Sequence, residues 1–285
     1  MPLLAWILVF TALGGALSAL AASLFLVAPE RVRARLLPHL VSFATGALLG
    51  AALLGLLPHA IEGAGAENTH AVGLALLAGL LIFFVLEKLV LWRHCHHDGC
   101  EAHVAAPVPA SHVHASHGRA HDHYDSRAEA VAHHNRDVAS ARLILIGDSF
   151  HNVLDGVLIA AAFMTDVHLG VVTALAVIAH EIPQEIGDLA ILLNSGMSRR
   201  RALTLNLLTS VSSVLGGASA YFAFSQIEAM LPYALAIAAS SFLYVAVADL
   251  IPGLHRRVDP GSAAGQLAFI MAGVALIYLS HHLAH

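Results

Sequence analysis

Residues 177–192 read VIAHEIPQEIGDLAIL, and how this stretch is read decides the fold. Its two ends are apolar enough for lipid, yet its middle holds His180, Glu181, Gln184, Glu185 and Asp188, with Pro183 among them. An ionised carboxylate at mid-membrane costs about 2.5–3.5 kcal/mol. Three of them, ionised and unpaired, cost on the order of 8–10 kcal/mol. A helix that only packs has no reason to bear that burden. The bland reading is that the carboxylates pair with one another or hold protons, and the neighbouring sequence argues against it.

The segment just upstream reads GDSFHNVLDGVLIAAAF, residues 147–163. At about 100° per residue, Asp148, His151, Asn152 and Asp155 share one stripe of an otherwise apolar helix. In the following helix His180, Glu181, Gln184 and Asp188 also share a side, with Glu185 at its margin. Only the short loop MTDVHLG joins the two, so the sequence predicts antiparallel neighbours. Polar stripes on adjacent membrane helices face each other or water. Facing each other, these converge two imidazoles, an amide pair and several carboxylates. That donor set suits Zn²⁺, Fe²⁺ and Mn²⁺, and a dication neutralises carboxylates that have no Lys or Arg in the interior of either helix. Pro183 lacks an N–H and frees the carbonyl of Ala179, as suits either a kink beside an ion site or a packing kink.

The whole chain agrees with a membrane setting. Of its 285 residues 58% are hydrophobic and only 12% charged, with a mean hydropathy of +0.75. A soluble domain has roughly a quarter charged residues. Eight apolar runs reach spanning length, at about 3–28, 40–58, 71–92, 143–164, 169–194, 203–225, 232–251 and 265–284. The first is too long for a signal-peptide core and has no basic start, so it is expected to stay in the mature chain. The expected fold class is an all-α integral membrane protein of eight transmembrane helices, with both termini outside and a metal site between helices four and five. With the N-terminus outside, all 14 Lys and Arg fall on the inside. They group as Arg31, Arg33 and Arg35, then Lys88, Arg93, Arg119, Arg127, Arg136 and Arg142, then Arg199–Arg201, then Arg256 and Arg257. Cytoplasmic loops collect basic residues in this way. One membrane domain results, with helices one to three in 1–92, a cytoplasmic His-rich insert at 93–142 and helices four to eight in 143–285.

The insert holds 11 of the chain's 21 histidines together with Cys95 and Cys100. It has no apolar periodicity and reads as disordered. Its HCHHDGC segment, with His94, Cys95, His96, His97 and Cys100, offers thiolate and imidazole for capture of one metal ion. A solvated linker is the alternative. On the outside, His59 and Glu62 lie one turn apart after Pro58, and His281, His282 and His285 close the chain. Each group reads equally as an ion-gathering mouth or an interfacial cap. Asp249, at the inner end of helix seven, is a candidate exit residue. Asn206, Thr209, Ser210 and Ser213 form a polar stripe on helix six that suits close helix packing.

HNVLDG followed by HEIPQEIGDLAILLNSGMSRRRALTLNLL resembles the fourth and fifth helices of the ZIP (zinc/iron-regulated-transporter-like) family. The likeness is strongest to the branch whose fifth helix reads H-E-x-P-H-E-x-G-D. GALLGAALLGLLPHAIE and SSFLYVAVADLIPGL are similar to that family's second and seventh helices. The resemblance implies movement of divalent metal, mainly zinc, into the cytoplasm through a two-ion site. It implies His151, Asp155, His180 and Glu181 at the primary position, and Asn152, Glu181 and residue 184 at the second. Two departures stand out: Gln184 replaces a histidine, and Gly55 stands where many relatives have His.

HEIPQ also differs by one letter from the H-E-x-x-H helix of zinc metalloproteases, which gives a membrane-embedded protease as the rival reading. A metal sensor without transport is a third. No further element looks like a substrate-clamping strand or loop, so the chain is read as a transporter and not an enzyme. Zn²⁺ is the expected ion, with Fe²⁺, Mn²⁺ and Cd²⁺ fitting the same donors. The expected partners are divalent ions and the lipid bilayer, with no nucleic acid. A homodimer stays open. The expected location is a plasma membrane, the inner membrane of a bacterium by the Ala- and Arg-rich composition.

Overall fold

The computed structural model describes residues 2–94, 122–255 and 260–282. Among them, eight helices are long and apolar enough to cross a membrane. They are α1 (Leu3–Val27), α2 (Glu30–Gly50, Ala51–Leu56 and Leu57–Ala64, continuous), α3 (Thr69–His94) and α4 (Asp122–Thr165). Then come α5 (Val167–Asn194), α6 (Arg199–Phe224), α7 (Leu231–Tyr244, Val245–Leu250 and Ile251–His255, continuous) and α8 (Pro260–His282).

Each span found in the sequence is a helix, but two begin earlier than expected. α2 starts at Glu30 rather than near residue 40, because its first turns carry Arg31, Arg33 and Arg35 and escape a hydropathy reading. α4 starts at Asp122, so residues 122–142 are helical where irregular chain was expected. No Gly or Pro interrupts the sequence between Gly118 and Gly147, and Ala recurs through it, which favours helix without any apolar stripe. Cys95, His96, His97 and Cys100 lie outside the described residues, as does the side chain of His94. The side chains of His281 and His282, and all of His285, lie outside them too.

Local chemistry sets the ends of α5. Asp166 is extended (φ −155°, ψ 141°), and its Oδ1 accepts the Leu169 N–H at 2.9 Å. It caps the helix and is the whole connection from α4, so the two helices must run antiparallel. At the far end Gly196 turns at φ 84°. Met197 N–H donates to the Leu192 carbonyl at 3.2 Å and Gly196 N–H to that of Leu193 at 3.0 Å. This left-handed closure suits glycine.

The helices sort into two groups. α1, α4, α5 and α6 pack on one another, while α2 packs on α8 and α7, and α3 on α7. The groups meet where α5 crosses α2 and α4 meets α7. Glycines let backbones touch within each group. A Cβ on Gly156 would strike the Ser213 carbonyl and one on Gly216 the Val153 carbonyl, which locks α4 to α6. Gly46 and Gly273 meet the carbonyls of Ile270 and Phe43 in the same way between α2 and α8. Small residues at such crossings are the usual means of helix association in lipid.

α2 and α7 share a further feature. Each holds a six-residue π-helical stretch, Ala51–Leu56 and Val245–Leu250, ending one residue before an X–Pro pair, Leu57–Pro58 and Ile251–Pro252. The Leu57 N–H reaches back to the Ala52 carbonyl and the Ile251 N–H to that of Ala246. These wide turns are the less stable parts of both helices. We expect amides 51–56 and 245–250 to exchange with deuterium at least about tenfold faster than buried amides 44–48 of α2. Equal protection along α2 would refute this.

Candidate metal centre

His151 and Asp155 lie one turn apart on α4, and α5 presents His180 and Glu181 towards them. One ligand atom from each of the four lies within 4.8 Å of the others. His151 Nε2 stands 3.2 Å from His180 Nε2 and 3.5 Å from Asp155 Oδ2. His180 Nε2 is 3.3 Å from Asp155 Oδ2, and His151 Nε2 is 4.0 Å from Glu181 Oε1. Tetrahedral ligands at about 2.1 Å from a metal are about 3.4 Å apart, so three of these four distances already match the edge of a zinc tetrahedron.

The protonation pattern fits a cation as well. His180 Nδ1–H donates to the Ala176 carbonyl at 3.1 Å, which turns its Nε2 lone pair into the cluster. Two imidazole Nε2 atoms at contact distance require a proton or a metal ion between them. Both oxygens of Glu181 are buried without a hydrogen-bond donor, and Asp155 Oδ2 is buried beside the two imidazole nitrogens. Asp155, His180 and Glu181 are at most 2% exposed. Buried carboxylates left in this way are strongly unfavourable unless a cation joins them. The donor set therefore fits a borderline divalent ion bound as cargo.

His151 is the partly exposed member, and it opens on a cleft of about 390 Å³. The cleft runs past Asp148, Gln184 and Asp188 to Asp249 and Glu87. Those residues approach the ends of α3, α5 and α7 and the start of α4's span, which is the end of the bundle that carries Lys88, Arg31, Arg33, Arg35 and Arg199–Arg201. Towards the opposite end the path is packed shut. Ile159, Phe163, Leu169, Leu56 and Leu235 are buried in one apolar cluster, with Trp6 stacked on Phe163 and Phe10 tilted against it.

The remaining candidates fall elsewhere. Asn152 and Gln184 turn their amides to Asp148. Glu185 is fully buried against α6, where Ser210 Oγ donates to its Oε1 at 3.4 Å. His59 Nδ1 bonds the Gly55 carbonyl at 2.9 Å, and Glu62 is exposed near the arginine-free end of α2; neither reaches the cluster. Gly55 lies against Leu169. Sequence reasoning missed Glu87 and Tyr244, whose hydroxyl donates to Glu87 at the mouth of the cleft. A carboxylate inside the apolar run 71–92 was a signal for Glu87; Tyr244 gave none.

An eight-helix membrane bundle with a buried two-His, two-carboxylate cluster at the foot of a cleft defines a membrane protein that handles metal ions. Residues 3–281 match the model of the ZIP zinc transporter family, and the chain belongs to that family. The chain is 31% identical over 255 residues to zinc transporter ZIP13 of Mus musculus, covering 85% of this chain and 69% of that protein. It is 30% identical over 275 residues to ZIP13 of Gallus gallus, covering 87% of this chain and 75% of the relative. Similarity to human zinc transporter ZIP4 reaches 32% over 281 residues, and there the match spans 42% of the longer protein.

Proposed function

We propose that this protein carries Zn²⁺ across a plasma membrane into the cytoplasm, with His151, Asp155, His180 and Glu181 as the ligands that replace its hydration water. The observation that carries this reading is the convergence of those four groups at the foot of a cleft that, among the described residues, opens towards the end carrying Lys88 and Arg199–Arg201. Basic residues collect on the cytoplasmic side, so that end is read as inside, both termini as outside, and the conformation as open inward. Names of the related zinc transporters support zinc as the ion. Fe²⁺, Mn²⁺ and Cd²⁺ fit the same donors and remain within the proposal. A bacterial inner membrane is the proposed location.

The two helix groups supply the moving parts. Rigid rocking of one group against the other would expose the cluster first to one side and then to the other. A second ion position beside the first, with Asn152, Glu181 and Gln184, belongs to the same reading. Membership of a transporter family favours carriage over the protease reading of HEIPQ. Gln184, in place of that motif's second His, points to Asp148 rather than to the cluster.

The direct test is zinc uptake into proteoliposomes holding this purified protein alone. Saturable uptake supports the reading, and zinc binding without flux would leave a sensor in its place. Acid should weaken uptake, because imidazole and carboxylate ligands bind metal only after losing their protons. Two imidazoles must each give up a proton before they can bind, so the apparent KM for zinc should rise at least about tenfold between pH 7 and pH 5. An apparent KM unchanged between pH 7 and pH 5 would contradict this ligand set.

A further inference from the structure

The cleft that opens at His151 has two unlike walls. Carboxylates of Asp148, Asp188, Asp249 and Glu87 line one, and no Lys or Arg is among the lining residues. Lys88 stands instead over the Phe84 ring, 5.8 Å from its centre. Asp148 is 5% exposed, and its Oδ2 is buried without a hydrogen bond. One oxygen of Glu87 accepts the Tyr244 hydroxyl at the mouth, and a carboxylate has room for further donors.

The other wall is apolar. It is made by Phe83 and Leu86 of α3 and by Phe150 and Leu154 of α4. α3 packs on α7 and barely meets α4, so these side chains flank a gap between the two helices. All four belong to the spanning parts of α3 and α4, near their inner ends, which sets the gap against hydrocarbon. Phe150 is 51% exposed there. Because α3 and α4 belong to different helix groups, whatever fills the gap stands between the parts that move.

A metal ion leaving the cluster has use for the acidic wall alone. The apolar wall suits a carbon skeleton, and the cleft's volume of about 390 Å³ is that of a small-molecule site. An anionic or neutral amphiphile would leave the carboxylates unmatched; a cationic one matches both walls. We propose that the cleft binds an amphipathic organic cation, which enters from the bilayer between α3 and α4, sets its ammonium on the carboxylate wall and its apolar body on the other, and wedges the two helix groups apart. The wedge rests on the inward-open carrier reading above, whereas the binding can be measured without transport.

The probe is 4-phenylbutylamine, with 4-phenylbutanol as its uncharged counterpart of nearly the same shape. Each is titrated by calorimetry into metal-free, full-length protein in nanodiscs, with empty nanodiscs as the blank. One amine should bind per chain, at least about tenfold more tightly than the alcohol, because charge-assisted hydrogen bonds are the strong ones. Glu87→Gln should weaken the amine at least about fivefold and leave the alcohol unchanged. Phe150→Ala should weaken both alike, by about threefold or more. In proteoliposomes the amine should lower the maximal rate of zinc uptake, and added outside zinc should not restore it.

The proposal is overturned if the amine binds no more tightly than the alcohol, or if both variants keep wild-type affinity for it. Relief of inhibition by outside zinc would overturn it too, since the amine would then compete at the outer face. Charge-selective amine binding without any zinc uptake would keep the site and remove the carrier reading.

Discussion

His180→Ala should abolish zinc uptake, lowering the initial rate in proteoliposomes at least about a hundredfold at sub-saturating zinc. Losing a hydrogen-bond partner of a metal-binding side chain already costs about 10–100-fold, and this change removes a proposed ligand outright. His180 is also the member whose tautomer the helix itself fixes, through the Ala176 carbonyl. Without it, Asp155 Oδ2 loses its partner at 3.3 Å and the tetrahedral edge set by His151 is broken. The variant should still fold, because truncation leaves a space beside Phe242 rather than a clash. A variant that elutes like the wild type and still takes up zinc at a similar rate would remove this residue from the ligand set, and with it the tetrahedron.

The second large effect concerns the scaffold. Gly156→Val should yield little or no folded protein, because its side chain would meet the Ser213 carbonyl and the Gly217 nitrogen, both backbone atoms that cannot step aside. Overpacking a tight interface costs about 1–3 kcal/mol where side chains can yield, and here the helices must separate. Gly156 is one residue after Asp155, so even a partly folded variant would pull Asp155 on α4 away from His180 on α5. Gly73→Val on α3, where an added Cβ meets nothing within 4 Å, is the control and should elute like the wild type. Equal yields of the two variants would mean that α4 and α6 do not depend on this crossing.

The spans were legible because a helix that must satisfy its own backbone in lipid needs length and apolarity, and both are visible along the chain. The converging quartet was legible for the opposite reason. His151, Asp155, His180 and Glu181 are costly in lipid, share helical faces, and sit on neighbours joined by one residue, so they had few directions to face. The helical start of α4 was not legible, since residues 122–142 carry no apolar stripe and only the lack of Gly and Pro hinted at it. Nor was the attachment of Asn152 and Gln184 to Asp148. Angular position puts all three near the site, but only the hydrogen bonds show that both amides turn their NH₂ groups to Asp148. Glu185 shows the same limit: one residue from Gln184, it points into α6 instead of the cleft.

The wide turns of α2 and α7 leave each helix with slack. A π stretch holds one residue more than regular winding needs, and that surplus can pass up or down a helix by exchanging one hydrogen bond for the next. The turn in α7 carries Asp249 and Val245 on the wall of the cleft. A shift of one position would swing that wall by about a quarter of a revolution while the glycine-locked contacts of α2 with α8 stayed in place. The lining of the ion's route can thus be re-faced without dismantling the frame that holds it.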